Sequence, residues 1–388
     1  MSAPTPAPSA YSRTNPFPAP LIENRRLNKE GSSKDTRHFV ISLKNSGLVY
    51  KPGDSLGVFA QNPPALVDDL LARLHLDGSV SVTIDTKGTT TPLRQALLTN
   101  YILNRVGKKF VRTVAEKLPA GPDKDRLTAL CADEEALSAY IFDRDYVDVL
   151  NEYPGAVFTP EELLGTINKT APRLYSIASS LAKHPEEVHL TVAVVTYTTH
   201  NRKKYGLASG YMAEFVPLNE TLPVFVQSSK HFHLPEDKAT DMIMVGPGTG
   251  IAPFRAFLEQ REMDGSTGRN WLFFGDQHKA TDFLYEDEFA DYQKKGILHR
   301  LDTAFSRDQA TKIYVQDRMK ENGAELWNWI SNGAYFYVCG DAKRMAKDVH
   351  QALIDIVQQH GGLSAEAAAE YVNVTLMKTE KRYLRDVY

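Results

Sequence analysis

Three short runs and a histidine pair carry residue types that could do chemistry. Gly246-Pro247-Gly248-Thr249-Gly250-Ile251-Ala252-Pro253 follows a wholly apolar run, Met242-Ile243-Met244-Val245, and opens a segment with helical spacing. Glycines there let a backbone approach a pyrophosphate, and a helix start offers free N–H donors and partial positive charge. The spacing departs from G-x-G-x-x-G because Ile251 stands at the last glycine position, so a tight strand-to-helix turn also fits it. Arg173-Leu174-Tyr175-Ser176-Ile177-Ala178-Ser179-Ser180 begins with a guanidinium that could clamp a phosphate. Strand alternation puts Arg173 and Tyr175 on one face and Ser176 on the other; a half-buried strand with a surface arginine is the simpler reading. Ser306 and Arg307, followed by Lys312, Tyr314 and Gln316, could hold an adenosine bearing an extra phosphate, or form a solvated loop. His231 and His233 flank Phe232 with no carboxylate or cysteine cluster beside them, so they read as surface residues and no metal site is expected.

These runs need elements to position them. His38 to Leu43 and Leu56 to Phe59 read as strands separated by the turns Asn45-Ser46-Gly47 and Pro52-Gly53-Asp54. From Asn62 the texture becomes helical: Leu66, Val67, Leu70, Leu71 and Leu74 first, then Leu93–Leu98, Tyr101–Val114, Leu127–Ile141 and Val147–Leu150. Strand character returns at Arg173–Ile177, at Val188, Leu190, Val192 and Val194 on one face, and at Leu222–Gln227. The last third alternates. Strands are expected at Met242–Val245, Trp271–Phe274, Ile297–Leu301 and Tyr335–Cys339, with helices at Ala252–Arg261, Phe283–Lys294, Val315–Glu321 and Ala342–His360. Such alternation predicts a doubly wound parallel sheet. The chain therefore reads as a flexible Pro/Ala-rich tail over 1–20, a β-rich domain over 21–235 with a helical insertion at about 62–167, and a nucleotide-type α/β domain over 236–388.

The 388 residues suffice for two or three domains with proper cores. A net charge of −3 gives no reason to expect nucleic acid or an acidic membrane as partner. Cys131 and Cys339 are too few and too far apart for a disulfide framework, which fits a reducing compartment, the cytoplasm. No secretory signal or apolar run of membrane-spanning length is present.

Taken together, the Arg173–Ser180 run, the Gly246–Pro253 loop, Ser306-Arg307 with Lys312, Tyr314 and Gln316, Val338-Cys339-Gly340-Asp341 and the terminus Arg382-Tyr383-Leu384-Arg385-Asp386-Val387-Tyr388 resemble, in this order, the diflavin reductases. These belong to the wider ferredoxin–NADP reductase-like family. Asn270–Gly275, Asp282–Tyr285, Ala324–Trp327 and Arg385–Tyr388 resemble its branch that serves NADPH–sulfite reduction. The resemblance spans about Asn15 to Tyr388. It implies an antiparallel FAD-binding barrel, a helical connecting region and an NADP-binding domain. By position, Arg173, Leu174, Tyr175, Ser176, Thr196, Tyr197, Tyr388 and the turn Gly206-Leu207-Ala208-Ser209 would hold FAD. Gly248, Thr249, Ser306, Arg307, Lys312, Tyr314, Gln316 and Cys339 would contact NADPH. Ser176, Cys339, Asp386 and Tyr388 would form the hydride-transfer site, with Tyr388 stacked on the flavin. One residue argues otherwise. Asp276 sits about where an NAD-type fold places its ribose-binding acid, but the intact Ser306, Arg307, Lys312 and Tyr314 group implies NADPH.

Relatives with this pattern carry a flavodoxin-like domain ahead of the barrel, a fold of roughly 150 residues. Here the barrel is expected within the first few dozen residues, so electrons would pass to a separate protein: a sirohaem sulfite reductase subunit, a flavodoxin or a ferredoxin. A general NADPH–flavodoxin or ferredoxin reductase is the neighbouring alternative. A non-catalytic nucleotide-binding assembly subunit is the alternative from another class.

Overall fold

The computed structural model describes residues 10–388. The strands in chain order are β1 (Phe17–Arg26), β2 (Thr36–Ser42), β3 (Ser55–Val58), β4 (Ser81–Thr83) and β5 (Thr90–Pro92). Next come β6 (Arg173–Ser176), β7 (Glu187–Ala193), β8 (Thr196–Thr199), β9 (Arg202–Tyr205) and β10 (Thr221–Gln227). The last are β11 (Met242–Val245), β12 (Asn270–Asp276), β13 (Arg300–Phe305), β14 (Tyr335–Gly340) and β15 (Tyr383–Val387). The chain divides into two compact units. The first takes the chain up to Gly57, Leu174–Ala193 and Leu218–Tyr388; the second takes Val58–Arg173 and Val194–Pro217.

In the first unit, six strands run in the order β6-β3-β10-β1-β2-β7. β1 pairs antiparallel with both β10 and β2, and β2 antiparallel with β7. An antiparallel bridge between Ile177 and Leu190, with Ala178 N–H donating to His189 O at 2.8 Å, joins the first strand in this order to the last. The sheet thereby closes into a barrel, which removes its exposed edges. Phe17, Ala19 and Leu21 alternate into the core. Strand therefore occupies 17–20, where the tail was expected; the intervening Pro18 and Pro20 mask the period-2 signal. The part of that expectation covering 1–9 lies outside the described residues.

Five parallel strands follow in the order β13-β12-β11-β14-β15. Ile243, Val245, Trp271, Phe273, Phe336 and Val338 join one hydrophobic cluster, and Met242, Met244, Leu272, Phe274, Tyr337 and Cys339 another. Alternate residues thus point to opposite faces, and helices cover both. Helices Val315–Glu321, Gly323–Ser331 and Met345–Gly361 feed the first cluster; Ala252–Asp264 and Glu286–Lys294 feed the second. Two expected elements start later, each after a residue of positive φ. Tyr285 adopts φ +57°, so the helix expected from Phe283 starts at Glu286. Gly296, at φ +71°, turns the chain, so the strand expected from Ile297 runs Arg300–Phe305. Two further elements, helix Gly323–Ser331 and β15, carry no period long enough to separate them from their surroundings.

The second unit is mostly helical. Pro64–Leu74, Leu93–Thr99, Lys108–Lys117 and Pro160–Thr166 pack their apolar faces around Leu70, Leu97, Phe110, Val114, Tyr146 and Leu163. The helix expected from Tyr101 begins only at Lys108, because Tyr101 pairs with Lys169 as an isolated bridge and Gly107 caps the helix in an extended conformation. The hairpin β8–β9 belongs to the same unit, although it lies far along the sequence from the helices.

Candidate active site

In the first unit the Gly-rich loop, the end of β14 and the chain terminus meet at the C-terminal edge of the parallel sheet, where ligands of open α/β sheets bind. Glycine is required at two positions of the loop. Gly248 adopts φ +57°, and a Cβ at Gly250 would stand 2.1 Å from Cys339 O. The loop therefore rests directly on the β14 backbone, and helix Ala252–Asp264 follows with Pro253 in its first turn.

β15 pairs parallel with β14 and sets Asp386 beside Cys339 in register. The Ser176 hydroxyl donates to Asp386 Oδ2 at 2.6 Å, and the Cys339 thiol lies 3.9 Å from the same oxygen. Cys339 is fully buried. Burial first, and the Asp386 charge second, hold its thiol well above the usual range. It is a neutral, weakly donating wall of the site and no nucleophile. Tyr388 is anchored at three points: its N–H donates to Gly340 O at 3.1 Å, its main-chain oxygen accepts from Ala342 N–H at 3.0 Å, and its hydroxyl lies 2.8 Å from Thr249 Oγ1. Yet the residue is 62% exposed. An aromatic residue tethered by its backbone and hydroxyl suits stacking against a planar ring system. Tyr175 and Ser176 are half-buried, whereas Arg173 and Leu174, at the start of β6, are exposed.

A second part of the site is a cleft of about 410 Å³ at the ends of β12 and β13, lined by Gly248, Asp276, Ser306, Tyr314 and Gln316 among others. Ser306 N–H donates to Asp276 O at 2.9 Å, fixing the loop to β12. Arg307 and Lys312 are exposed on the same segment and make no ion pair among the described residues. They do not line the cleft wall.

In the second unit, Thr196 and Tyr197 lie on β8, paired with Tyr205 and Lys204 of β9. Gly206 precedes the helical turn Leu207–Gly210, whose opening N–H groups lack acceptors within the helix. The Ser209 hydroxyl accepts from Val195 N–H at 3.2 Å and ties this turn to the strand before the hairpin. The hairpin is itself held by buried ion pairs. Arg202 reaches Asp145 at 2.7 Å and Asp148 at 3.0 Å, and Lys204 pairs with Asp148.

Several of these groups escape a reading of the sequence. Asp145 and Asp148 cap helix Tyr146–Glu152 reciprocally, a pattern visible as paired acids three apart, but their partners lie more than fifty residues on. In the first unit, His184, Glu187 and His189 bring ligand-type atoms within 4.8 Å of one another. Their hydrogen bonds oppose a metal. Arg255 donates towards His189 Nδ1 at 3.4 Å, which leaves the ring proton on Nε2, and Nε2 gives it to Glu187 at 3.1 Å. Glu259 takes His184 Nε2 at 3.0 Å.

Comparison with known proteins agrees with this geometry. Residues 9–211 match the FAD binding domain family and residues 244–351 the oxidoreductase NAD-binding domain family. Over 380 residues the chain is 46% identical to the sulfite reductase (NADPH) flavoprotein alpha-component of Bacillus subtilis, covering 98% of this chain and 62% of that protein. The proteins of the same name from Yersinia pestis and Yersinia enterocolitica are 48% and 46% identical, again over 98% of this chain. The chain spans about three fifths of the length of these relatives.

Proposed function

Because the chain belongs to the FAD binding domain family, we propose that it is an FAD-dependent reductase that takes hydride from NADPH and passes electrons to a separate protein. The observation that carries this reading is the meeting of Ser176, Cys339 and Asp386 on one carboxylate oxygen beside the anchored Tyr388. These residues come from the barrel, the parallel strand β14 and the chain terminus, and a protein that only bound nucleotide would have no use for the set.

The residues fit both groups. Tyr175, Ser176 and Tyr388 would hold the flavin ring of FAD. In the second unit, the Leu207–Ser209 N–H groups offer an anion several donors, the chemistry a nucleotide phosphate requires. When bound, FAD accepts the hydride and releases its electrons singly. The protein supplies the rest. Gly248 and Thr249 place NADPH at the sheet edge, Arg307 and Lys312 offer charge to its 2′-phosphate, and Tyr314 offers an aromatic face to the adenine. Asp386, already held by Ser176, would stabilise the positive charge that develops on a bound nicotinamide as hydride leaves. Cys339 fills the floor without contributing charge. Tyr388 must swing off its Thr249 contact for a nicotinamide to lie flat.

The acceptor is a further component of a sulfite-reducing assembly, in line with the relatives' name, sulfite reductase flavoprotein alpha-component. The purified protein is expected to be yellow and to reduce ferricyanide with NADPH far faster than with NADH. A colourless protein that also refuses added FAD would end this reading.

A further inference from the structure

Asp276 lines the adenosine cleft, and the proposed function makes no use of its chemistry. It ends β12, its side chain is 1% exposed, and only one of its oxygens is spoken for. Oδ1 takes the Lys34 ammonium in an ion pair and also accepts Gln277 N–H at 2.7 Å. Oδ2 is buried and has no hydrogen-bond partner among the described residues. It lies beside the Gly-rich loop, 3.9 Å from where a Cβ on Gly248 would be, and Asp276, Gly248 and Lys34 all line the cleft. A buried carboxylate oxygen without a donor is costly unless something completes it.

Lys34 is placed there deliberately by the barrel. The β1–β2 loop that carries it is bonded along the segment after β12. Lys29 N–H donates to Thr281 O at 2.8 Å, Asn28 Nδ2 to Asp282 Oδ1 at 2.9 Å, and Ser33 Oγ to Gln277 Oε1 at 3.2 Å. The loop that carries Lys34 is thus held beside the end of β12 at three residues, within reach of Asp276.

An acid at this point in a nucleotide fold accepts ribose hydroxyls and repels a 2′-phosphate. Resting on the NADPH reading above, we propose that Lys34 is a specificity-determining residue of the cleft. Its ammonium cancels the charge of Asp276 so that a 2′-phosphorylated adenosine can approach, while Oδ2 remains free to accept a hydrogen bond from the adenosine ribose. The acid then orients the sugar without excluding the phosphate. Burial already pushes the Asp276 carboxyl up, and Lys34 opposes that shift by favouring the carboxylate.

The test measures binding to the FAD-loaded protein by calorimetry and by competition, using 2′,5′-ADP and 5′-AMP, which differ by one phosphate. Lys34→Met is expected to weaken 2′,5′-ADP by about tenfold, as a like charge uncovered at short range requires, and to leave 5′-AMP within about twofold. Lys34→Met combined with Asp276→Asn removes both charges and is expected to restore 2′,5′-ADP binding to within about threefold of the native protein. The double variant also keeps the test open should the single variant disturb the loop. Equal weakening of both ligands in Lys34→Met, or no recovery in the double variant, overturns the proposal and leaves Lys34 a loop anchor. A native protein with no preference for 2′,5′-ADP over 5′-AMP overturns the NADPH reading itself.

Discussion

At the scale of single residues, the site is a set of tethers around one carboxylate and one aromatic ring. Ser176 and Cys339 address Asp386, and Thr249 addresses Tyr388. If the Tyr388 ring lies where the nicotinamide must lie, every bound nucleotide loses the stacking energy of that ring, about 0.5–1.5 kcal/mol. Tyr388→Ala should then tighten NADP+ binding by roughly two- to tenfold, the factor that energy represents. It should also narrow the gap in KM between NADH and NADPH, since nicotinamide entry would cease to depend on the grip at the adenosine end. Calorimetry with NADP+ and steady-state rates with both nucleotides check this; an unchanged affinity and an unchanged KM ratio would exclude Tyr388 from the site. Sequence makes Ser176, Cys339, Asp386 and Tyr388 legible because each sits in a run with distinctive order. It is silent on Lys34, whose partner is 242 positions away and whose neighbours in sequence spell only a polar turn.

At the scale of elements, the hairpin β8–β9 shows how a strand pair is held within its own unit. Lys204 is buried on β9 and pairs with Asp148, and Arg202 shares Asp145 and Asp148 with it. Burial by itself would raise the Asp148 carboxyl, but Lys204 and Arg202 more than offset it and hold it below the usual carboxylate range. Removing one partner leaves a buried charge uncompensated, which costs about 3–5 kcal/mol. Lys204→Met should therefore lower the stability of the second unit by about 3 kcal/mol, the low end because Arg202 remains. Lys204→Met with Asp148→Asn should recover most of that loss. Urea melts of the three proteins decide it, and a loss under about 1 kcal/mol would mean that the hairpin is held by something else. The pattern of strands and helices was readable wherever a hydrophobic period ran for several residues, as in β11, β12 and β14. It failed where prolines interrupted the period, at residues 17–20, and where a positive-φ residue displaced a boundary, at Tyr285 and Gly296. Such shifts arise from tertiary packing, which no window of sequence contains.

At the scale of the whole molecule, the first unit is threaded by a buried polar chain from barrel strands β2 and β7 to helix Ala252–Asp264. His38 Nδ1 meets the Tyr285 hydroxyl at 2.9 Å, and that hydroxyl meets Thr191 Oγ1 at 2.6 Å. Arg255 is buried, pairs with Glu259 at 3.1 Å and Glu288 at 2.7 Å, and also donates to Ala178 O at 2.6 Å. Burial, followed by the nearby Arg255 charge, lowers His38 to about 3 and His189 to about 2, so both rings stay neutral in the folded protein. In the unfolded chain each would take a proton near the ordinary value of about 6.5. Below that pH the unfolded state therefore binds more protons, and folding stability falls as the solution is acidified; above it neither ring has any effect. Silent in the folded protein, these two rings together contribute a slope approaching about 2.7 kcal/mol per pH unit between roughly pH 6 and 4.5, two protons' worth of linkage, and His350, also lowered by burial, adds to it. Replacing His189 by Gln keeps an acceptor for Arg255 and a donor for Glu187 but removes one of these protons, so the slope should drop by about 1.4 kcal/mol per pH unit. Urea melts at pH 7.5, 6.0 and 5.0 measure it directly. A native protein equally stable at all three values would show that these histidines titrate in place, and that the polar chain from the barrel to the helix under the Gly-rich loop is open to water.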